Sequence, residues 1–450
     1  MTMSSRIEVS QLIDDSKISP FQWGVLLLCG FCMILDGFDV QAMGYVAPAL
    51  LQDWKVDKAS LGPVFGAGLF GLLLGSLLIS VVADKLGRRP VLIGSTFFFA
   101  ICTLATPWVS NVEQLMVIRF ITGLGLGAIM PNAMALSGEF SPQRRRISIM
   151  MIISCGFTIG AMLGGVIAAA LIPRFGWQSV FYVGGTVPLL ITVAMLKYLP
   201  ESIQFQVVNN APAEKIAALL KRIVPSVKLG SNPQFAVPEK KEAGAPVVRL
   251  FRNGRAGPTL VLWAISFMNL IALYFLSNWL PTLAKSTGMS LEHAVLLGAM
   301  LQFGGTLGTI TMGWLIDRLG FRRVLLPCFI VAGCSIALIG HSAASLAVLF
   351  AVVFVTGFAV VGGQPAINAM AASYYPTTLR STGVGWCLGI GRIGAVIGPV
   401  VGGELIRLNL AQSDLFHAAA LPSVVIVLVL LFGVRSERGK PLPAALAPLH

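Results

Sequence analysis

The chain has 450 residues, of which 56% are hydrophobic and 11% charged, and its formal net charge is +13. Soluble domains carry about 25% charged residues, so these proportions exclude an ordinary soluble enzyme and indicate a polytopic membrane protein. The positive charge does not signify nucleic-acid binding, because the basic residues fall in short runs between apolar segments: Lys85, Arg88 and Arg89; Arg144, Arg145 and Arg146; Arg318, Arg322 and Arg323.

Twelve apolar runs succeed one another along the chain, each of about 20 residues and able as a helix to cross a hydrocarbon core of about 30 Å. The N-terminal stretch lacks the apolar core and small-residue cleavage site of a removable signal peptide. Basic runs follow the second, fourth and eighth runs, and Arg380 follows the tenth. The intervening loops carry only Lys55, Lys58, Arg174, Lys285 and Arg407, so the positive-inside rule puts both termini in the cytoplasm. The expected organisation is a cytoplasmic tail (1–19), a six-helix bundle (20–199), a cytoplasmic linker (200–256), a second six-helix bundle (257–435) and a cytoplasmic tail (436–450).

Span one carries Asp36 and Asp39 inside an apolar run, three residues apart and therefore on one helix face. A charge at the bilayer centre costs at least about 2.5–3.5 kcal/mol, so such residues face a partner, a wet cavity or a transported species. Span two has a glycine face and ends in the turn Asp84-Lys85-Leu86-Gly87-Arg88-Arg89. A basic anchor accounts for the arginines of this turn but leaves Asp84 and Gly87 unexplained. Span four places Arg119, Gly123, Gly127 and Pro131 at intervals of four, with Asn132 after them and Glu139 at its end. Counting about 1.5 Å per residue puts Arg119 at the depth of the two acids, so it is the candidate partner of Asp36 or Asp39. Span five shows another close-packing face at Gly156, Gly160 and Gly164. In the proline-interrupted linker, residues 213–223 are expected to form an amphipathic helix lying on the membrane surface.

The second half repeats the first. Asp84, Gly87 and Pro48 correspond to Asp317, Gly320 and Pro281 at a shift of 233, and Gly123, Pro131, Arg146 and Gly160 to Gly357, Pro365, Arg380 and Gly394 at 234. Two like bundles form a parallel repeat, with the substrate site between them near the midplane. Arg392, near the middle of span eleven, has no acid at its depth in that span and suits a bidentate carboxylate ligand. Aromatic side chains in the spans that suit the lining of a ligand pocket are Phe38, Tyr274, Trp279, Phe303 and Trp386. Hydroxyl partners are sought in Asn132, Asn278 and above all Asn269, which occupies the position of Asp36 across the repeat. No rich set of amides for sugar recognition is evident. All seven cysteines lie in spans, so no disulfide framework is expected, and the Cys29/Cys32 pair has no second pair or histidine beside it to make a metal site. No nucleophile with its base and no phosphate loop appears, so neither catalysis nor a cofactor is expected.

The turn Gly313-Trp314-Leu315-Ile316-Asp317-Arg318-Leu319-Gly320-Phe321-Arg322-Arg323 resembles the loop motif of the major facilitator superfamily, G-x-L-x-D-R-x-G-x-R-R, at every position. The first copy departs from it at several positions, among them Ser80 in place of the opening glycine and Lys85 in place of the arginine. Within that superfamily, Asp36-Gly37-Phe38-Asp39 with Ala47-Pro48, and Gly389-Ile390-Gly391-Arg392, resemble the aromatic acid:proton symporters, the group of the bacterial 4-hydroxybenzoate and benzoate importers. Pro200-Glu201-Ser202 resembles part of a sugar-porter ending, but Ile203 stands where its proline would be.

The resemblance implies an all-α fold of twelve transmembrane helices in two pseudo-symmetric bundles. It implies proton-coupled import of a small aromatic carboxylate by alternating access, in a monomer in the bacterial inner membrane. Arg392 is then the carboxylate site, Asp36, Asp39 and Arg119 the proton-coupling group, and Asp84, Gly87, Arg88, Arg89, Asp317, Arg318, Gly320 and Arg322 the gate. The competing expectations are another organic anion, a sugar or a drug-like compound as cargo, or a receptor of the same fold that binds without flux. The topology is tested by introducing a single cysteine at Lys240 in a cysteine-free background. It is expected to resist a membrane-impermeant thiol reagent in intact cells and to react after permeabilisation; labelling of intact cells contradicts the assignment.

Overall fold

Helices dominate because the chain offers long apolar stretches whose backbone polar groups can be satisfied only internally in lipid. The computed structural model describes residues 6–225, 227, 234–236, 247–342, 345–376 and 379–432. Among these are 12 helices long and apolar enough to cross a membrane. In the first half they are spans one (Pro20–Trp54), two (Lys58–Leu86), three (Arg88–Trp108), four (Val112–Glu139), five (Gln143–Phe175) and six (Gln178–Tyr198). In the second half they are spans seven (Ala256–Ser286), eight (Leu291–Leu319), nine (Phe321–Ile339), ten (Leu346–Tyr374), eleven (Thr382–Arg407) and twelve (Gln412–Phe432).

Local signals set the helix ends. Ser19 and Gln22 form a capping box ahead of span one, with Pro20 in its first turn. Gly87 (φ 102°) and Gly320 (φ 81°) separate spans two from three and eight from nine, a backbone conformation that a side chain resists.

The repeat is written into the packing. Gly71 and Gly75 of span two lie against the carbonyls of Phe120 and Leu124 in span four, and Gly123 returns the contact to Gly68. Gly304, Gly308 and Gly357 make the same approaches to Phe354, Phe358 and Leu301, the counterparts at shifts of 233 and 234. Likewise Gly160 lies on the Ile34 carbonyl between spans five and one, and Gly394 on the Phe267 carbonyl between spans eleven and seven. At each site a Cβ would strike backbone, so these helix pairs close only on glycine.

The two bundles meet along a seam formed by spans one, two and five on one side and seven, eight and eleven on the other. Among the described residues its tight approaches lie in the half of the seam away from the basic turns. Gly62 meets Gly403 and Pro399, Gly44 the Ser277 carbonyl, Gly165 Ala299, and Gly298 Tyr45. Phe65 stands edge-on to Trp279 (5.2 Å between centroids), whose indole donates to the Pro399 carbonyl at 2.9 Å.

At the basic end of the first bundle, a short helix (Val9–Asp15) and the linker helix (Ala213–Ile223) fold together. Val9 and Ile13 share a buried cluster with Ile216, Leu219, Leu220 and Ile223, and the strand Arg6–Glu8 pairs in parallel with Gln234–Ala236. The linker helix is amphipathic as expected, but its apolar face is covered by protein and not by lipid. Its burial follows from the neighbouring N-terminal segment, whose apolar residues sequence spacing alone does not pair with it. Lys240, much of the linker and the tail at 436–450 lie outside the described residues. The glycine contacts make a direct test: Gly71→Leu is expected to overpack spans two and four, cost about 1–3 kcal/mol or more and abolish monodisperse elution in detergent. Gly94→Leu, at a position with nothing within 4 Å of its Cβ direction, should elute as the wild type does.

Candidate functional site

Two carboxylates one helical turn apart end in different environments. Asp39 is fully buried; Oδ1 accepts from the Thr103 hydroxyl at 2.8 Å and Oδ2 from Arg119 Nη2 at 3.0 Å. The same Nη2 donates to the Asp39 carbonyl at 3.1 Å, so spans one, three and four are bound at one point. Arg119 also faces the Phe181 ring at 5.9 Å, and a cavity of about 20 Å³ beside it has room for one water molecule.

Asp36 faces the seam. Besides Asp39 one turn along the same helix, it lies within electrostatic reach of Arg392 of span eleven and Tyr274 of span seven, which are also within reach of each other. No ion pair joins Asp36 to Arg392 within 4.0 Å among the described residues, and Asp36 Oδ1 is buried without a hydrogen-bond partner. Arg392 therefore has an acid near it after all, contributed by the opposite bundle. Counting depth along span eleven alone does not find it.

Of the aromatic candidates, Tyr274 shares the surroundings of Arg392. Phe38 is buried against Gly164 and Gly184, filling the joint of spans one, five and six. Trp386 stacks on Trp263 at 5.8 Å, six residues and about 9 Å along the helix from Arg392, toward the basic end. Trp279 seals the far end of the seam, and Phe303 is 41% exposed against Phe354. Among the amides, Asn132 and Asn278 donate to carbonyls of their own helices, Ala128 and Tyr274, at 2.8 Å each. Asn269 reaches span ten, donating to Gln364 Oε1 at 2.8 Å and to the Val360 carbonyl at 3.2 Å.

Sequence reasoning passed over a second polar set. Gln41 of span one donates to the Ser277 carbonyl at 2.5 Å, and Gln302 of span eight reaches Ser277 Oγ at 3.2 Å and Gln41 Oε1 at 3.5 Å, across the seam. With Asn269, Gln364 and Asn368 these residues give the spans more amides than the three asparagines that sequence reading singled out. An uncharged amide inside an apolar run is the signal that could have found them, since its burial also demands partners.

The turn residues divide between the halves. Glu201 accepts from the backbone N–H groups of Arg88 and Arg89 at 3.0 and 3.2 Å, capping span three beside Gly87. The Arg89 side chain donates to the Leu199 and Leu196 carbonyls at 2.7 Å each, and Arg88 pairs with Glu139 at 2.9 Å, which also accepts from Ser202 Oγ. Pro200-Glu201-Ser202 thus belongs to a clasp of spans three, four and six. In the second half Arg318 lies over the Trp314 ring at 4.0 Å, and Arg322 is exposed near Gly320. Asp84 and Asp317 are exposed, with no ion pair among the described residues. The buried pair of Asp39 and Arg119 is checked by thermal unfolding in detergent: Asp39→Asn or Arg119→Gln alone is expected to cost about 3–5 kcal/mol by stranding its partner, and the double variant to recover much of that loss.

A family model described as Major Facilitator Superfamily matches residues 29–310 and 262–449. The chain is 40% identical over 435 residues to the 4-hydroxybenzoate transporter PcaK of Pseudomonas aeruginosa, covering 96% of this chain and 97% of that one. It is 39% identical to a gallate transporter of Pseudomonas putida, covering 98% of each. Among solved structures the nucleoside transporter NupG superposes with a TM-score of 0.70 at 16% identity, over 92% of this chain and 99% of that one, a likeness of fold. Twelve spans in two repeated bundles and a near full-length match to such relatives lead to one conclusion: this multi-pass membrane protein is a transporter and not an enzyme, and it belongs to the major facilitator superfamily, in the family of the aromatic acid transporters.

Proposed function

We propose that the protein imports small aromatic carboxylates together with protons across the bacterial cytoplasmic membrane, exposing its seam alternately at either end. The observation that carries this reading is the division of labour in span one. Asp39 is consumed by Arg119 and Thr103, while Asp36 faces Arg392 and Tyr274 across the seam with one oxygen unpartnered. The relatives named as 4-hydroxybenzoate and gallate transporters supply the class of cargo.

Arg392 presents a planar fork that suits a carboxylate. Asp36 shares that guanidinium, so an arriving substrate anion meets a second carboxylate if Asp36 is ionised. Two carboxylates on one cation repel, and protonation of Asp36 relieves the repulsion. Substrate and proton therefore favour each other's binding. Tyr274 offers a ring wall and a hydroxyl beside them. The Asp39–Arg119 pair acts as a fixed charge that anchors span one. With the basic turns taken as cytoplasmic, the packed half of the seam is the outer one, and the arrangement is the inward-facing state.

Proteoliposomes test this. Wild-type protein should accumulate labelled 4-hydroxybenzoate when the outside is acid, which a receptor without flux cannot do. Asp36→Asn should lose gradient-driven accumulation yet keep exchange of labelled for unlabelled substrate. Arg392→Lys should weaken binding by about 10- to 100-fold, because the ammonium keeps the charge and loses the fork. Undiminished accumulation by Asp36→Asn overturns its role as the proton site, and wild-type affinity in Arg392→Lys overturns that of the carboxylate fork.

A further inference from the structure

Asn269 is only 1% exposed, in the middle of span seven. Its Nδ2 group has two partners on span ten, Gln364 Oε1 and the carbonyl of Val360, and Gln364 Nε2 in turn donates to Asn368 Oδ1 at 3.2 Å. A backbone carbonyl can only accept, so the Val360 contact fixes which end of the amide faces span ten. Asn269 Oδ1 points away from its two acceptors and has no donor among the described residues.

A buried acceptor left unmet costs about 1–3 kcal/mol, so this atom calls for a partner that brings a hydrogen. A carboxylate cannot be that partner; a hydroxyl can. Arg392 is its opposite, a group that only donates. The two stand at similar height in the same bundle, because Gly391 packs on Ser266 and Leu270 of span seven and Gly394 on Phe267. Asn269 is also the repeat counterpart of Asp36, at the shift of 233, and Asp36 Oδ1 is likewise unpartnered. One bundle thus presents an acceptor that can take up and release a proton, and the other a neutral acceptor that cannot.

We propose that Asn269 Oδ1, oriented by Gln364 and Val360, accepts a ring hydroxyl of the substrate whose carboxylate Arg392 holds, so that the transporter selects hydroxylated over unsubstituted aromatic acids. The proposal rests on the reading that the cargo is an aromatic carboxylate. A site built to accept a hydroxyl discriminates against the analogue without it, because its own polar group is then left unpaired.

Equilibrium binding of labelled benzoate and of 2-, 3- and 4-hydroxybenzoate to the purified full-length protein tests it. Wild type should prefer one hydroxylated isomer over benzoate by at least about 10-fold. Asn269→Ala should bring that ratio to within about 3-fold of unity by weakening the hydroxylated ligand while leaving benzoate affinity in place. Gln364→Leu, which keeps Asn269 but leaves it only the 3.2 Å contact with the Val360 carbonyl on span ten, loosens the amide and should lower the ratio too, and it serves as the test should Asn269→Ala not fold. Each ratio is read within one preparation, so a lower active fraction cancels. Equal wild-type affinity for all four acids overturns the proposal, as does the wild-type ratio persisting in the variants, the outcome expected if a structural water serves Asn269. Wild-type protein that binds none of the acids defeats the transport reading itself, and the proposal with it.

Discussion

The ion pair between Arg119 and Asp39, closed at 3.0 Å with both side chains buried, is the constraint around which the first bundle is organised. Neither charge can remain alone in the hydrocarbon, and each offsets the desolvation of the other only in close geometry. Arg119 is therefore held to the side of span four that faces span one, and the glycines beside it, Gly123 and Gly127, bring that span onto span two. With Arg119 engaged by Asp39, Asp36 is the acid of span one left facing the other bundle. Its surroundings are completed by Arg392 and Tyr274, so the charge balance of the central site exists only where the two bundles meet.

Glycine supplies the complementary half of this design. Apolar side chains gain little by packing against each other in lipid, so helices associate through close backbone approach and buried polar contacts. The same glycine-to-carbonyl approaches recur in both bundles at a constant offset, which gives two bodies of like shape. Two bundles of like shape that meet along a seam make the parallel repeat found in this superfamily. Tyr45 and Trp279 at the closed half of the seam, both fully buried, show how thoroughly that half excludes water.

The basic ends of the bundles differ although their motifs match. In the first, Glu201, Glu139 and Ser202 bind Arg88 and Arg89, and the N-terminal and linker helices cover the neighbouring surface. In the second, position 373 is Ser where the first half has Glu139, and Arg318 turns to Trp314. Repetition of a motif therefore does not guarantee repetition of its contacts. Partners that come from outside the motif decide where its arginines go.

The sequence by itself determined the twelve spans, the repeat and the family, because these depend on hydrophobic length, residue spacing and local motifs carried by contiguous residues. It also marked Asp36, Asp39, Arg119 and Arg392 as residues in need of partners, since a charge in an apolar run is costly wherever the helix lies. Which partner each receives was decided only by the tertiary structure. Asp36 and Asp39 are equivalent by composition and nearly so by depth, and rotation of span one against spans four and eleven separates them. The same holds for Phe38, an aromatic wall by its position in the chain and a filler between glycines once spans five and six close on it. Gln41, Gln302 and Gln364 went unmarked because an uncharged amide disturbs hydropathy little, and its need for a partner appears only when neighbouring helices bury it. A one-dimensional pattern records what a residue requires, and packing in three dimensions selects what meets that requirement.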